Sequence, residues 1–162
     1  TLWKTGHSLV KAKMRETGAL LAGEMSGHVF FKERWYGFDY GLYTGARLLE
    51  ILSKVQNPSD TLNDLPDAFC TPELHIHTAE GENHALLKQL QQTAKFDGAK
   101  EIITLDGLRV EYQVGFGLAR PSNTTPVIVL RFEADTEEGL QRIQNDFRAI
   151  FKAAAPHLKL PF

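Results

Sequence analysis

Cysteine is almost absent from the sequence, since Cys70 is the single one among 162 residues. The chain therefore cannot form an internal disulfide, which fits a protein of the reducing cytoplasm. No apolar run approaches the length of a membrane-spanning helix. The first residues, TLWKTGHS, do not have the pattern of a signal peptide. We expect a soluble, cytoplasmic protein.

The sequence also lacks a strong excess of charge. Its 18 lysines and arginines nearly balance 20 aspartates and glutamates, which leaves a net charge of −2 at pH 7. Partners that bind mainly through their charge, such as nucleic acid or an anionic membrane, are therefore not expected. Apolar residues make up 43% and charged residues 23%, which allows a hydrophobic core and argues against disorder. The length predicts one domain, or one domain and part of another.

The first 55 residues predict too little regular structure for their aromatic content. We expect a short helix over 9–18 that ends at Gly18, an aromatic strand after a polar loop, and a helix over 39–55. Such an aromatic surface needs a sheet to lie on, and this segment supplies one convincing strand. Residues 1–55 therefore resemble half of a domain. The aromatic residues are Trp3, Phe30, Phe31, Trp35, Tyr36 and Phe38.

A linker and a second, more regular unit follow. The segment 56–69 begins QNPSDTLNDLP and predicts the linker, because Pro, Asn, Asp and Ser favour turns. Beyond it, the patterns predict the order β-α-β-β-β-α between about 72 and 155. Two of these strands form a hairpin joined by Asp106 and Gly107. The domain at 70–162 is therefore predicted to be α+β, with one sheet backed by two helices.

Apolar spacing also predicts which side chains of the two helices face the sheet. In the last helix, Asp135 and Glu138 have the spacing of a capping box. The expected inward residues of the first helix are Ala85, Leu86, Leu87 and Leu90. Those of the last helix are Leu140, Ile143, Phe147, Ile150 and Phe151.

A polar loop precedes the strand VIVLRFE. A phosphate group is held well by a planar guanidinium together with hydroxyl and amide donors. The loop offers such donors between two prolines that stiffen it: Arg120, Ser122, Asn123 and Thr124. The same residues also make an ordinary exposed turn, so the composition leaves both interpretations open.

A second polar loop, GEMSGH, covers residues 23–28. Glu24, Ser26 and His28 alternate along it, so an extended loop would point all three to one side. A carboxylate, a hydroxyl and an imidazole suit the hydroxyl groups of a sugar, and histidine can also move a proton. A glycine-bounded turn without a ligand is the alternative.

Histidines offer a weaker signal. His75 and His77 share one face of a predicted strand, and His84 follows. A structural zinc site needs more ligands than this pair supplies, so a solvent-exposed strand face is the favoured interpretation and no metal site is predicted.

Taken together, the motifs resemble the α-D-phosphohexomutase family, in particular its bacterial phosphomannomutase/phosphoglucomutase branch. The resemblance extends over essentially the whole chain. It rests on GEMSGH at 23–28 and RPSNTTP at 120–126, with support from WKTGHS at 3–8, FD..LY..ARLLEIL at 38–52 and VLRFEADTEE at 129–138.

The resemblance implies an enzyme with four domains around one cleft. A phosphoserine of the first domain exchanges its phosphoryl group with a hexose phosphate through a bisphosphate intermediate, assisted by Mg²⁺ bound to aspartates of the second domain. This chain would be the C-terminal part. Residues 1–55 would end the third domain, an incomplete α/β segment, and residues 70–162 would form the fourth domain, which has a TATA-binding-protein-like fold.

The resemblance also implies roles for individual residues. His7 and His28 would take part in acid–base catalysis, and Glu24, Ser26 and His28 would contact sugar hydroxyls. The phosphate that is not transferred would be held by Arg120, Ser122, Asn123 and Thr124. The ligands would be glucose or mannose 1- or 6-phosphate.

The sequence also departs from the family. It has no TxSHNP-like serine loop and no DGDGDR-like metal loop, and Tyr40 stands where an acidic residue is usual. We therefore expect no cofactor in this chain and no turnover by the chain alone, although the resemblance implies Mg²⁺ in the complete enzyme. Self-association or pairing with the N-terminal domains would cover its aromatic surface; alternatively, residues 1–55 fray while 70–162 stays folded. The alternatives are a phosphosugar-binding protein without catalysis and an interaction module.

Overall fold

The computed structural model describes residues 1–162, which form two compact units, Thr1–Pro66 and Asp67–Phe162. Unit 1 contains α1 (His7–Thr17), β1 (Leu21–Gly23), β2 (Val29–Phe31), α2 (Gly41–Leu52) and α3 (Pro58–Asn63). None of the helices in the chain is both long and apolar enough to cross a membrane.

The predicted helices of unit 1 are present. The first ends at Gly18, whose left-handed backbone (φ 71°) suits glycine. The segment predicted as a linker contains an unpredicted helix, α3. Asn57 caps it by accepting a hydrogen bond from the Ser59 N–H, and Pro58 occupies its first turn.

Unit 1 has a small core. Strands β1 and β2 form an antiparallel hairpin, and Phe30 of this hairpin is fully buried against Val10 and Met14 of α1. Helix α2, in contrast, has no buried residue. Its Leu42 is 77% exposed, and Tyr36 before it is 80% exposed. The hairpin therefore covers only a minor part of the apolar surface that this unit carries.

Unit 2 is a sheet with two helices packed on it. It contains β3 (Phe69–Cys70), β4 (Leu74–His77), α4 (Glu82–Thr93), β5 (Glu101–Ile103), β6 (Leu108–Tyr112), β7 (Gly115–Pro121), β8 (Val127–Ala134) and α5 (Glu137–Ala154). The strand order is β3-β8-β7-β6-β5, with β4 also paired to β8, and all pairs are antiparallel. The predicted α+β class, with one sheet backed by two helices, is confirmed. The sheet has one long strand more than predicted, β7, and the short β3.

The unpredicted strand β7 contains glycine, which disfavours strands. Gly117 is required there because α5 packs on it. A Cβ at this position would lie 2.4 Å from the Phe147 ring and 3.0 Å from Ile143. The residue that weakens the strand signal is therefore the one that admits the helix.

Two details of the helices differ from the prediction. The N-cap of α5 is Thr136, whose hydroxyl accepts from the Gly139 N–H at 3.1 Å. Asp135 instead continues the backbone pairing, donating its N–H to Val114 at 2.8 Å. On α4, Ala85 is exposed and Asn83 is buried. The remaining inward leucines of α4 and the apolar stripe of α5 are confirmed, since all of these side chains are buried or pack against the core.

Candidate functional site

The predicted phosphate loop connects β7 to β8 as a closed hairpin turn. The Ser122 N–H donates to the Val127 carbonyl at 3.0 Å. The Ser122 hydroxyl accepts from the backbone N–H groups of Thr124 and Thr125, both at 3.3 Å. It also lies 3.3 and 3.1 Å from the hydroxyls of the same two threonines. The turn therefore gathers three hydroxyl groups, and Thr125 is one that the prediction did not include.

Arg120 stands at the end of β7, opposite Val129 of β8. It is half-buried, and its guanidinium has no hydrogen-bond or ion-pair partner within the chain. Arg120 and Ser122 are two residues apart along extended chain, so their side chains leave the sheet on one side. Asn123 and Thr124 are exposed beside them. A free planar cation and a cluster of hydroxyls suit an anion with several oxygens, such as phosphate.

Asn83 of α4 lies beneath this loop and was not predicted. Its side chain is only 2% exposed. The Nδ2 group donates toward the carbonyls of Ser122 (3.0 Å), Val127 (3.2 Å) and Thr125 (3.4 Å). The signal that could have found it is its spacing, because Asn83 shares the inward face of α4 with Leu86, Leu87 and Leu90.

The GEMSGH loop is a tight turn between β1 and β2. Glu24 donates its N–H to the His28 carbonyl at 2.8 Å, and the Gly27 N–H donates to the Glu24 carbonyl at 3.0 Å. Gly27 has φ 91°, as expected in a three-residue hairpin loop with a glycine bulge. The assumption of an extended loop is therefore wrong. Alternation does not aim Glu24, Ser26 and His28 in one direction, because Ser26 lies within the turn.

Glu24 reaches the start of α1. Its Oε1 accepts from the Gly6 N–H at 2.6 Å, and Gly6 is the N-cap of this helix. Helix α1 has neither an acidic residue in its first turn nor a side-chain cap of its own. The Glu24 carboxylate therefore satisfies this helix end from a distance, where the helix dipole favours a negative charge. The contact places the GEMSGH loop beside WKTGHS, because the exposed His7 follows Gly6 directly.

His28 is held by a second residue that the prediction missed. Its Nδ1 lies 2.6 Å from Oδ2 of Asp39, and Asp39 forms a backbone bridge with Phe30 of β2. When Nδ1–H donates to this carboxylate in the neutral ring, Nε2 is an acceptor that faces away from it. The His28 side chain is 50% exposed.

Comparison with known proteins decides the family. Residues 1–69 match the family model described as "Phosphoglucomutase/phosphomannomutase, alpha/beta/alpha domain III". Residues 73–150 match "Phosphoglucomutase/phosphomannomutase, C-terminal domain". The chain belongs to the phosphoglucomutase/phosphomannomutase family. The membership predicted from the two polar loops is confirmed.

Relatives within the phosphoglucomutase/phosphomannomutase family are close in sequence and in structure. Phosphoglucomutase of Neisseria gonorrhoeae is 62% identical over 98% of this chain and 34% of its own length. Phosphomannomutase/phosphoglucomutase of Pseudomonas aeruginosa is 58% identical over 99% of this chain and 35% of its own length. A crystal structure of a phosphoglucomutase/phosphomannomutase family protein from Burkholderia thailandensis is 68% identical, with a TM-score of 0.92 over 99% of this chain and 34% of that chain. The chain thus spans about a third of the relatives it matches.

The family resemblance implies Mg²⁺, and the residues of this chain offer no site for it. No group of three or more His, Cys, Asp or Glu side chains is arranged to hold a metal ion, so the chain does not fit this ion. His75 and His77 are exposed on β4, and Nε2 of His75 lies 2.9 Å from the Glu73 carboxylate. The prediction of an exposed strand face is confirmed.

Proposed function

We propose that this chain binds hexose phosphates and supplies the sugar and phosphate contacts of a phosphoglucomutase/phosphomannomutase reaction. The observation that carries the proposal is the loop after β7, where the unpaired guanidinium of Arg120 stands beside the hydroxyls gathered around Ser122. A half-buried arginine without a partner is unfavourable in the free protein. A bound anion that accepts its hydrogen bonds removes this cost.

In this proposal the loop holds the phosphate that is not transferred. Arg120 binds two of its oxygens through the parallel N–H groups of the guanidinium. Ser122, Asn123 and Thr124 donate hydrogen bonds to the remaining oxygens. Inorganic phosphate alone should therefore bind to this loop. A sugar phosphate should bind more tightly, because its sugar hydroxyls make further contacts with the chain.

The GEMSGH loop is proposed to contact the sugar. Glu24 has one carboxylate oxygen engaged by Gly6, and its other oxygen can accept from a sugar hydroxyl. Ser26 is exposed at the tip of the turn and can donate or accept. His28, with Nδ1 turned to Asp39, can accept a proton from a hydroxyl at Nε2. His7 is proposed as a further acid–base group at the start of α1.

Interconversion of hexose 1- and 6-phosphates also needs groups that this sequence does not contain. Phosphoryl transfer depends on a positioned nucleophile and on neutralisation of the phosphate charge, usually with a metal. We propose that a phosphoserine and a Mg²⁺ site are provided by other parts of the complete enzyme, and that this chain contributes substrate contacts and proton transfer by His28.

The apolar surface around α2 is proposed to be a contact for those other parts. Leu42 and Leu49 are 77% and 67% exposed on this helix, which is unusual for large aliphatic side chains that lie close together. The alternative is that a second copy of this chain covers the same surface, and sedimentation equilibrium tests it. A mass that rises with concentration and returns to the monomer value in Leu49→Glu would favour self-association.

Titration of ¹⁵N-labelled protein with inorganic phosphate, glucose 1-phosphate and mannose 1-phosphate tests the proposed function. We expect phosphate to shift the amides of 122–125 and the sugar phosphates to shift those of 24–28 as well. Glucose without a phosphate and sodium chloride at equal ionic strength are the controls. If none of the phosphate compounds moves the amides of 122–125, the proposal is wrong.

A further inference from the structure

We propose that Asn83 is a positioning residue for the phosphate loop. It turns the peptide between Ser122 and Asn123 so that the Asn123 N–H faces the ligand side. The inference deepens the proposed function and rests on it for the identity of the ligand. Its structural part concerns the shape of the loop and can be tested without any ligand.

The environment of Asn83 fixes the orientation of its side chain. Oδ1 accepts from the His84 N–H at 2.9 Å, so Nδ2 is directed to the other side. There it meets carbonyls of Ser122, Thr125 and Val127, between 3.0 and 3.4 Å away. These carbonyls come from the start, the middle and the end of the turn. One amide group therefore holds the turn at three points, in addition to the backbone bond between Ser122 and Val127 that closes it.

The hydrogen bond from Asn83 has a consequence on the opposite side of the loop. All peptide bonds are trans, and in a trans peptide the carbonyl and the following N–H point in opposite directions. Because the Ser122 carbonyl points inward to Asn83, the N–H of Asn123 points outward. This N–H has no acceptor within the chain. It is therefore free to donate to an anion held by Arg120, and backbone N–H groups are well suited to phosphate.

Asparagine is the residue type that this position requires. The inward face of α4 is otherwise apolar, and a buried polar side chain on such a face is unfavourable unless it is hydrogen bonded. Leucine would leave the Ser122 carbonyl without a donor, whereas the Val127 and Thr125 carbonyls also accept from the backbone N–H groups of Ser122 and Val127. Aspartate, the closest in shape, would place a negative charge against carbonyl oxygens. An amide of this size supplies the donors and remains neutral.

Asn83→Ala tests the inference by removing the donors. We expect the Asn123 amide resonance to move in the free protein and the affinity for inorganic phosphate to fall about tenfold or more, the loss expected for one hydrogen bond to a charged group. Asn83→Ser, which keeps one hydroxyl donor, should lie between wild type and Asn83→Ala. It also serves as the readout if Asn83→Ala does not fold.

Leu90→Ala is the matched control, because Leu90 is buried on the same helix about two turns beyond Asn83. It should lower the melting temperature while the folded molecules bind phosphate as wild type does. Chemical shifts report on the folded population, so lost stability alone cannot imitate the expected result. Equal phosphate affinity in wild type and in folded Asn83→Ala or Asn83→Ser would overturn the inference.

A ligand-free measurement separates the two proposals. Scalar couplings across hydrogen bonds should connect Nδ2 of Asn83 with the carbonyl carbons of Ser122 and Val127 in wild type. If wild type shows the couplings but does not bind phosphate, the proposed function fails, and the ligand part of this inference fails with it. If the couplings are absent, or the Asn123 amide is unchanged in Asn83→Ala, the positioning role itself is refuted.

Discussion

Arg120 shows how a single residue can indicate a ligand. Arg47, on α2, is engaged with Glu33 and Glu50, and Arg109 pairs with Glu111 of its own strand. The guanidinium of Arg120 has no such partner although it is half-buried. Its contribution should therefore appear in binding and not in the stability of the unit.

The corresponding prediction is that Arg120→Gln weakens binding of inorganic phosphate by about tenfold or more, because a charge-assisted hydrogen-bond pair is lost. The melting temperature should stay close to that of wild type. Isothermal titration calorimetry and thermal unfolding measure the two effects. Arg142→Gln is the control, since Arg142 is exposed on α5 and bonds only to the Asp97 carbonyl. Similar losses in both variants would mean that the effect is only one of net charge.

Glu24 stabilises the start of α1 in addition to its proposed sugar contact. Glu24→Ala leaves the Gly6 N–H at the start of α1 without its acceptor, and we expect a loss of about 1–3 kcal/mol in unfolding free energy. Glu24→Gln keeps an acceptor and should lose less. Urea unfolding followed by tryptophan fluorescence measures this, because both tryptophans, Trp3 and Trp35, lie in unit 1. Equal losses in the two variants would contradict the hydrogen-bond role.

The site residues divide into those that the sequence could predict and those that it could not. Arg120 and Ser122 belong to a short polar cluster with a recognisable donor set. Asn83 and Asp39 act through contacts with residues 39 and 11 positions away. Such contacts depend on how the elements pack, so they cannot be predicted from one sequence alone. Spacing along α4 could still have placed Asn83 on the buried face.

At the scale of elements, substitutions at the start of α5 test whether Thr136, and not Asp135, is its N-cap. Thr136→Ala removes the hydroxyl that accepts from Gly139, and we expect a loss of about 1 kcal/mol in the unfolding free energy of unit 2. Asp135→Ala should change it by less than about 0.5 kcal/mol, because its side chain makes no cap. Urea unfolding followed by circular dichroism measures both. A larger loss in Asp135→Ala would restore the capping box that the sequence indicated.

The elements themselves were predictable where their periodicity was regular. The stripe of α5 and the Asp106–Gly107 hairpin followed from local patterns. Strand β7 did not, because Gly117 lowers its strand signal and is needed only once Phe147 packs against it. The loop at 24–28 was predicted to be extended because its polar residues alternate. It is a tight turn instead, because Gly27 adopts a positive φ.

Charged groups link helix α2 to the rest of unit 1, and we expect them to make the stability of this unit sensitive to acid. Arg34 donates two hydrogen bonds to Glu50 at 3.2 and 2.8 Å. They are the main reason why the pKa of Glu50 falls from its ordinary value of 4.5 to about 2, and Lys54 adds to the shift. A lowered pKa means that the folded state favours the ionised carboxylate. Its contribution to stability is therefore complete above pH 4.5 and disappears as the pH falls to about 2.

Glu50→Gln should remove this pH dependence. We expect wild type to be more stable than the variant at neutral pH and the difference to vanish near pH 2. Urea unfolding at several pH values, followed by tryptophan fluorescence, measures the difference. The effect should shrink in high salt because the groups are exposed. Parallel curves for both proteins between pH 5 and 2 would refute the role of the Arg34–Glu50 pair.

For the whole molecule, the proposed roles are substrate contacts and proton transfer. In the proposed function, the chain provides donors for phosphate, acceptors for hydroxyls and a histidine that moves a proton. It has no cluster of side chains that fits a metal ion and no serine loop like that of the family. Ground-state contacts lower the dissociation constant of a substrate, but only groups that stabilise the transition state accelerate the reaction.

The last prediction follows from this difference. The purified chain should bind glucose 1-phosphate without converting it to glucose 6-phosphate, even when Mg²⁺ and glucose 1,6-bisphosphate are supplied. A coupled assay detects the product, and the Pseudomonas aeruginosa relative serves as the positive control. Trace contamination would give activity that does not change in His28→Gln. Turnover that copurifies with the chain and is lost in His28→Gln would instead mean that these 162 residues contain a nucleophile of their own, and the division of roles proposed above would be wrong.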